Sequence, residues 1–186
     1  MEAAIDVFAQ NGFSAARVSD VAKAAGVADG TIYNYFRNKD DLLICLFEDR
    51  METLVGTFRQ ELSGCPDARS KLGRFIQLHL QLAEQQPALA EVLTVELRQS
   101  AKFMREYKAR QFGEYLEVLA EVITEGQRTG EFALEGDVRV MTRAIFGALD
   151  ETNLVWLRGK RTPGTLVANA PTLQGIFLQG LMGGTA

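Results

Sequence analysis

Histidine occurs once and cysteine twice among 186 residues, and no apolar run reaches the roughly 18 residues that a membrane span requires. His79 has no second histidine, no cysteine pair and no HExxH spacing beside it, which argues against a metal site. Cys45 and Cys65 lie far apart in helical patterns, as expected of reduced thiols in a cytoplasmic protein. The opening residues lack the charged-then-apolar pattern of a signal peptide. There is no strand alternation, repeat or low-complexity segment, and no GxSxG, phosphate loop or GxGxxG after a strand. Positive charge is short as well. The formal net charge is -4, and residues 1–43 set Arg17, Lys23, Arg37 and Lys39 against Glu2, Asp6, Asp20, Asp29, Asp40 and Asp41, four against six. Net charge alone therefore counts against a nucleic-acid partner. Phosphate contacts, however, depend on where a few donors sit.

Helical periodicity is abundant. Hydrophobic residues make up 47% and charged residues 24%, the balance of a globular chain. Apolar residues at spacings of three and four predict helices over 2–11, 19–25, 29–36, 39–62, 68–86, 87–97, 102–129, 137–157 and 165–182, with Pro171 kinking or restarting the last. The fold class is all-α, of about nine helices. Residues 1–43 are expected to form one domain and 44–186 a second, with the long fourth helix as connecting rod.

The stretch from Val18 to Leu43, VSDVAKAAGVADGTIYNYFRNKDDLL, is the most informative. Ser19 is placed to cap a short helix carrying Val21, Ala22 and Ala25. Gly26 suits a tight turn, and a second short helix follows with Ile32 and Phe36 on its apolar side. Two helices about a glycine turn make a helix-turn-helix, whose second helix enters the DNA major groove. From Ala3 to Leu43 the pattern AAxxxFxxxGFxxxxVxDVAxxAGVxxGTIYxYFxxKxxLL resembles the DNA-binding domain of the TetR family of bacterial repressors. That family usually carries a short basic segment before its first helix, whereas this chain opens inside that helix.

The resemblance implies roles for individual residues. Gly30 brings the backbone close to DNA; Thr31, Tyr33 and Asn34 face the groove; Tyr35 and Lys39 anchor phosphates. Ala28 departs from the pattern, where a serine cap is common. Asp29 either takes over the capping or accepts from a cytosine amino group, and both readings disfavour guanine there. The expected partner is a double-stranded DNA operator bound by a homodimer.

Outside this stretch the residues leave alternatives open. His79 sits on an apolar helix face, as a packed core residue or as a polar contact to a ligand. Asp150 and Glu151 are adjacent in an apolar helix and point about 100° apart, which fits a structural or interface role better than acid–base chemistry. The stretch RQSAKFMREYKAR sets Arg98, Lys102, Arg105, Lys108 and Arg110 against Glu106. It is either a solvated face or a site for an anionic ligand, with Tyr107 and other aromatics alongside. Cations at a helix start oppose the macrodipole, so helix stability does not explain them.

The segments VELRQS at 95–100, ITEGQRTGEF at 123–132 and FGALDET at 146–152 are similar to TetR-type repressors of fatty-acid degradation, which long-chain acyl-CoA releases from DNA. This narrower resemblance implies an acyl-CoA effector and no other cofactor. The acyl chain would lie along Phe75, Leu78, His79, Leu82, Phe112, Tyr115, Leu116, Leu119, Leu149 and Trp156, with the basic stretch on the CoA phosphates. Helices eight and nine would pair with their two-fold copies. The alternatives are a TetR-type repressor of efflux that responds to an apolar drug or signal, or an enzyme or carrier that buries a fatty chain. No catalytic residue stands out for the last.

Overall fold

The computed structural model describes residues 1–100, 102–103 and 110–182, with Arg98 and Gln99 as backbone only. Nine α-helices and no strand occur among the described residues. They are α1 (Glu2–Asn11), α2 (Val18–Ala24), α3 (Asp29–Tyr33), α4 (Lys39–Ser63), α5 (Ala68–Gln85), α6 (Pro87–Thr94), α7 (Arg110–Thr129), α8 (Val138–Arg158) and α9 (Ala170–Leu181). The chain groups into two compact units that cut across sequence order: residues 1–52 with 86–109, and residues 53–85 with 110–186. This differs from a division at 43/44, because α6 returns to pack on α1.

In the first unit, α1 buries Ala4, Ile5, Val7 and Phe8, and Phe8 meets Phe13 edge to face at 5.5 Å. Gly12, with φ of 74°, turns the chain back after α1. Gly26, with φ of 69°, makes the turn between α2 and α3, which the Val27 N–H closes onto the Ala22 carbonyl at 3.0 Å. Arg17, not Ser19, is the N-cap of α2. Its backbone N–H donates to the Asp20 carboxylate at 2.9 Å, which leaves Ser19 inside the first turn. Helix α3 is shorter than the periodicity predicts, because Asn34 and Tyr35 lie in a turn. Helix α6 gives way after Thr94 to a 3₁₀ turn, Glu96–Gln99. Buried Glu96 accepts from the Phe13 N–H at 2.5 Å, and Ser100 Oγ donates to Asp40 at 2.5 Å.

In the second unit α5 is the hub, packing on α7, α8 and α9. The expected start of helix seven at Lys102 falls largely on residues outside those described. The α7 face buries Tyr115, Leu116, Val118, Leu119, Val122 and Ile123. Asp137 caps α8, accepting from the Arg139 N–H at 2.8 Å. Pro171 restarts the helix: a 3₁₀ turn at Val167–Asn169 precedes α9, with the proline in its first turn. A proline is tolerated there because that N–H has no intrahelical acceptor. Within the chain α8 is buried on one face, by Thr142, Ile145, Leu149, Asn153 and Leu157. Its other side leaves Val140 and Val155 more than 60% exposed.

Candidate DNA-reading head and buried polar centre

The head presents α3 to solvent. Asp29, Gly30, Tyr33, Asn34 and Tyr35 are exposed and Thr31 is half-buried. Tyr33 and Tyr35 are 56% and 77% exposed. Two large aromatics left in water beside a helix-turn-helix gain nothing from the protein's own core, whereas a nucleic-acid surface would cover them. No side chain caps α3, and Ala28 is its N-cap. Asp29 is therefore a first-turn carboxylate, where its charge favours the helix N-terminus, rather than the cap that was one of its two expected roles.

Lys39 is placed differently from a phosphate anchor. Its ammonium donates to the carbonyls of Phe13, Ser14 and Ala16 at 2.5, 3.1 and 3.0 Å, and it stands 4.6 Å from the centre of the Phe13 ring. An ammonium has three donors, and three carbonyls take them. Lys39 thus pins the loop between α1 and α2 onto the start of α4. Asn38 caps α4 by accepting from the Asp41 N–H at 2.9 Å, and Asp41 accepts from the Arg37 N–H at 3.1 Å. The side chains of Arg17, Lys23 and Arg37 are exposed around this surface. Sequence reasoning counted them only as charges, and no pattern in the primary structure ranked them above Lys39.

The body holds a buried polar centre within aromatic rings. His79 Nδ1 and the Tyr115 hydroxyl lie 2.7 Å apart, and both residues are buried. Phe58 and Phe75 pack on Tyr115 at 5.2 and 5.5 Å. Phe146 stands perpendicular to the imidazole at 5.9 Å and edge to face with Phe112 at 5.1 Å. Burial pushes the His79 pKa down to about 4. Burial first, then the Asp150 carboxylate, raises Tyr115 well above the usual phenol range. Both groups are therefore neutral near pH 7, and they can exchange hydrogen bonds but not hold charge.

Of the expected chain-binding residues, Phe75, His79, Phe112 and Tyr115 belong to this ring cluster. Phe75, Leu119 and Leu149 are fully buried, Leu116 is nearly so, and Leu78, Leu82 and Phe112 are half-buried. Phe58 and Phe146 join the centre without having been predicted as site residues. Phe146 opens the FGALDET segment, which was its available signal. Trp156 lies elsewhere. Its indole N–H donates to Thr165 Oγ at 3.1 Å, and it lines an open cleft of about 460 Å³ with Val155, Thr165 and Leu173. The indole needs a partner for its N–H, and the loop before α9 supplies one. Of the basic stretch, Lys102 is half-buried and Arg110 exposed. The Arg98 side chain, Arg105, Tyr107 and Lys108 lie outside the described residues. No group of side chains able to hold a metal occurs among the described residues, and no described helix is long and apolar enough to cross a membrane.

Comparison with known proteins bears on both halves. Residues 1–45 match the tetR family of bacterial regulatory proteins, and residues 47–179 match the C-terminal region of YsiA-like proteins. The fatty acid metabolism regulator protein of Bacillus subtilis (strain 168) is 40% identical over 157 residues, 84% of this chain and 81% of that one. The crystal structure of the transcriptional regulator FadR from Bacillus subtilis in complex with stearoyl-CoA superposes with a TM-score of 0.90 at 37% identity, covering 96% of both chains. The fatty acid degradation regulator FadR from Bacillus halodurans superposes with a TM-score of 0.88 at 37% identity, over 97% of this chain and 96% of that one. A helix-turn-helix head, an all-helical body and matches spanning both make the chain a member of the tetR family of bacterial regulatory proteins.

Proposed function

We propose that this chain is a homodimeric repressor of fatty-acid degradation genes, acting in the cytoplasm on a palindromic operator and released by long-chain acyl-CoA. It is a regulator rather than an enzyme. The observation that carries the reading is the likeness, along nearly the whole chain, to a regulator solved with stearoyl-CoA. The body supports it physically, because an apolar centre of this kind would bind a fatty chain through burial. Each methylene buried contributes about 0.8 kcal/mol, so affinity should climb with chain length until the space is full. The cations between Arg98 and Arg110 would take the CoA phosphates through charge-assisted bonds.

On DNA, Gly30, Thr31, Tyr33 and Asn34 would read the groove. Tyr35, Arg17, Lys23 and Arg37 would take phosphates, since Lys39 is engaged with carbonyls. Ser19, half-buried in the first turn of α2, can add a hydroxyl or backbone donor to a phosphate. Helix α4 runs through both units. A ligand that moves Phe58, which packs on Tyr115, therefore acts on the helix whose first turn holds the head. For release, the ligand must prefer the DNA-incompetent state, and DNA must weaken ligand binding by the same factor.

The test combines a mobility-shift assay on the promoter of the protein's own gene with calorimetry. Stearoyl-CoA should dissolve the protein–DNA complex, while CoA alone and stearate should not. Equal binding of stearate and its CoA thioester would reduce the basic stretch to a solvated face. No binding of either would remove the acyl-CoA effector.

A further inference from the structure

Three buried side-chain atoms of the body have no hydrogen-bond partner among the described residues: His79 Nε2, Thr142 Oγ1 and Asn153 Oδ1. Two of them have local remedies. A helical threonine hydroxyl can turn to the carbonyl one turn earlier. An asparagine amide can exchange its oxygen and nitrogen by rotation. His79 has no such remedy, because turning its ring would take Nδ1 away from the Tyr115 hydroxyl at 2.7 Å.

The tautomer follows from the partners. Among the described residues the Tyr115 hydroxyl bonds to His79 Nδ1 alone, so the phenol proton goes to Nδ1. A neutral imidazole that accepts at Nδ1 carries its own proton on Nε2. Burial keeps the ring neutral. The outcome is an N–H donor on a residue only 7% exposed. The Phe146 ring stands perpendicular to it, and an aromatic face is a weak acceptor.

Position suggests what acceptor is missing. Phe146 packs on Phe112, and Phe112 lies in the first turn of α7, directly after the basic stretch. In sequence, then, the ring that packs on Phe146 follows the stretch that would take an anionic head group. In an acyl-CoA, the first acceptor met on leaving the hydrocarbon tail is the thioester carbonyl.

We propose that His79 Nε2 donates a hydrogen bond to the thioester carbonyl oxygen of a bound long-chain acyl-CoA, with Tyr115 holding the imidazole in the donating tautomer. His79 is then a specificity residue, distinguishing a carbonyl-bearing chain from an equally long hydrocarbon. The inference rests on the acyl-CoA reading above.

Calorimetry of the full chain with stearoyl-CoA and with S-octadecyl-CoA, the thioether that lacks the carbonyl oxygen, tests it. The wild type should bind the thioester about tenfold more tightly, the usual weight of a satisfied buried hydrogen bond. His79→Phe should bind both ligands alike, at the wild-type thioether level. His79→Gln, whose amide nitrogen reaches the position of Nε2, should keep most of the preference. Tyr115→Phe, which removes one hydroxyl from an otherwise intact ring, should lose much of it and serves if His79→Phe does not fold. Equal wild-type affinity for the two ligands would overturn the role of His79 while leaving the acyl-CoA reading in place. A preference that survives in both His79→Phe and Tyr115→Phe would assign the contact to another donor. Failure of the wild type to bind either ligand would overturn the reading beneath it and this inference together.

Discussion

At the scale of residues, the two polar groups that matter most are both held by carefully limited partners. His79 is buried and neutral, with its pKa near 4 against 6.5 for a free imidazole. Between those values the unfolded chain binds more protons than the folded one, so folding stability falls as the pH is lowered. The contribution is present in full above pH 6.5 and is lost as the pH falls toward about 4, a difference of about 3 kcal/mol. Denaturant titrations from pH 7 to 4 should therefore fall more steeply for the wild type than for His79→Gln, and parallel curves would remove His79 from the acid response. Among the described residues, the Asp150 carboxylate bears on this centre through Tyr115. Lys39 offers a second test. Lys39→Met leaves three carbonyls without their donor and should destabilise the head by about 2 kcal/mol. It should not change the slope of operator affinity against salt. Arg37→Ala, at an exposed cation, should lower that slope by about one for one phosphate contact. A slope that falls with Lys39→Met and holds with Arg37→Ala would return Lys39 to the DNA.

At the scale of elements, glycine does more at one position than its neighbours suggest. Gly126 lies on the buried side of α7, and a Cβ there would meet the Phe132 ring at 2.1 Å. Phe132 is 2% exposed, and its N–H donates to the Gly126 carbonyl at 3.0 Å, so the ring cannot swing away. Gly126→Ala gains about 1 kcal/mol of helix propensity but forces an overpacked contact costing about 1–3 kcal/mol. The variant should melt below the wild type, and Phe132→Leu should restore it. A Gly126→Ala protein as stable as the wild type would show that α7 and the following loop adjust freely. Both residues belong to the ITEGQRTGEF segment, so this packing was legible as a motif before its reason was. The helices themselves were legible because a 3.6-residue period survives in every one longer than two turns. What sequence missed lies where partners distant in the chain decide the outcome. Ser19 has the chemistry of a cap, but α2 already starts at Val18, and the Val21 N–H that a cap there would take bonds to the Arg17 carbonyl. Lys39 has the charge of a phosphate anchor, but three carbonyls from the loop before α2 converge on it. Glu96 sits in the VELRQS segment, read for its resemblance, yet its carboxylate accepts from a backbone N–H some eighty residues earlier. Phe58 and Phe146 completed a ring cluster whose other members the periodicity had found, because no spacing rule relates α4 to α8.

At the scale of the whole molecule, the apolar surface left on α8 and α9 sets the final expectation. Val140, Val155 and Ile176 are 65%, 63% and 58% exposed, and a Cβ at Gly147, Gly175 or Gly180 would meet nothing within 4 Å. By contrast Ile145 and Leu149 on α8 are buried inside the protomer. The same two helices therefore divide their apolar residues between an inner face and an outer one. Glycines on the outer face allow a second pair of helices to approach, the arrangement of a four-helix bundle across a two-fold axis. An operator with two half-sites requires such an assembly, since one head alone makes half the contacts. Gly180→Arg would place a charged side chain on this surface without touching the core, and Val155→Glu would do the same on α8. Both variants should keep wild-type helicity by circular dichroism and sediment as monomers at micromolar concentration. Both should lose operator binding by about a hundredfold or more, the range expected when roughly half of the specific contacts are no longer held together. Sedimentation of the wild type as a monomer would dismiss the outer faces of α8 and α9 as an interface. A dimer that persists in both variants would move the interface to another surface of the body while sparing the two-headed reading of the operator.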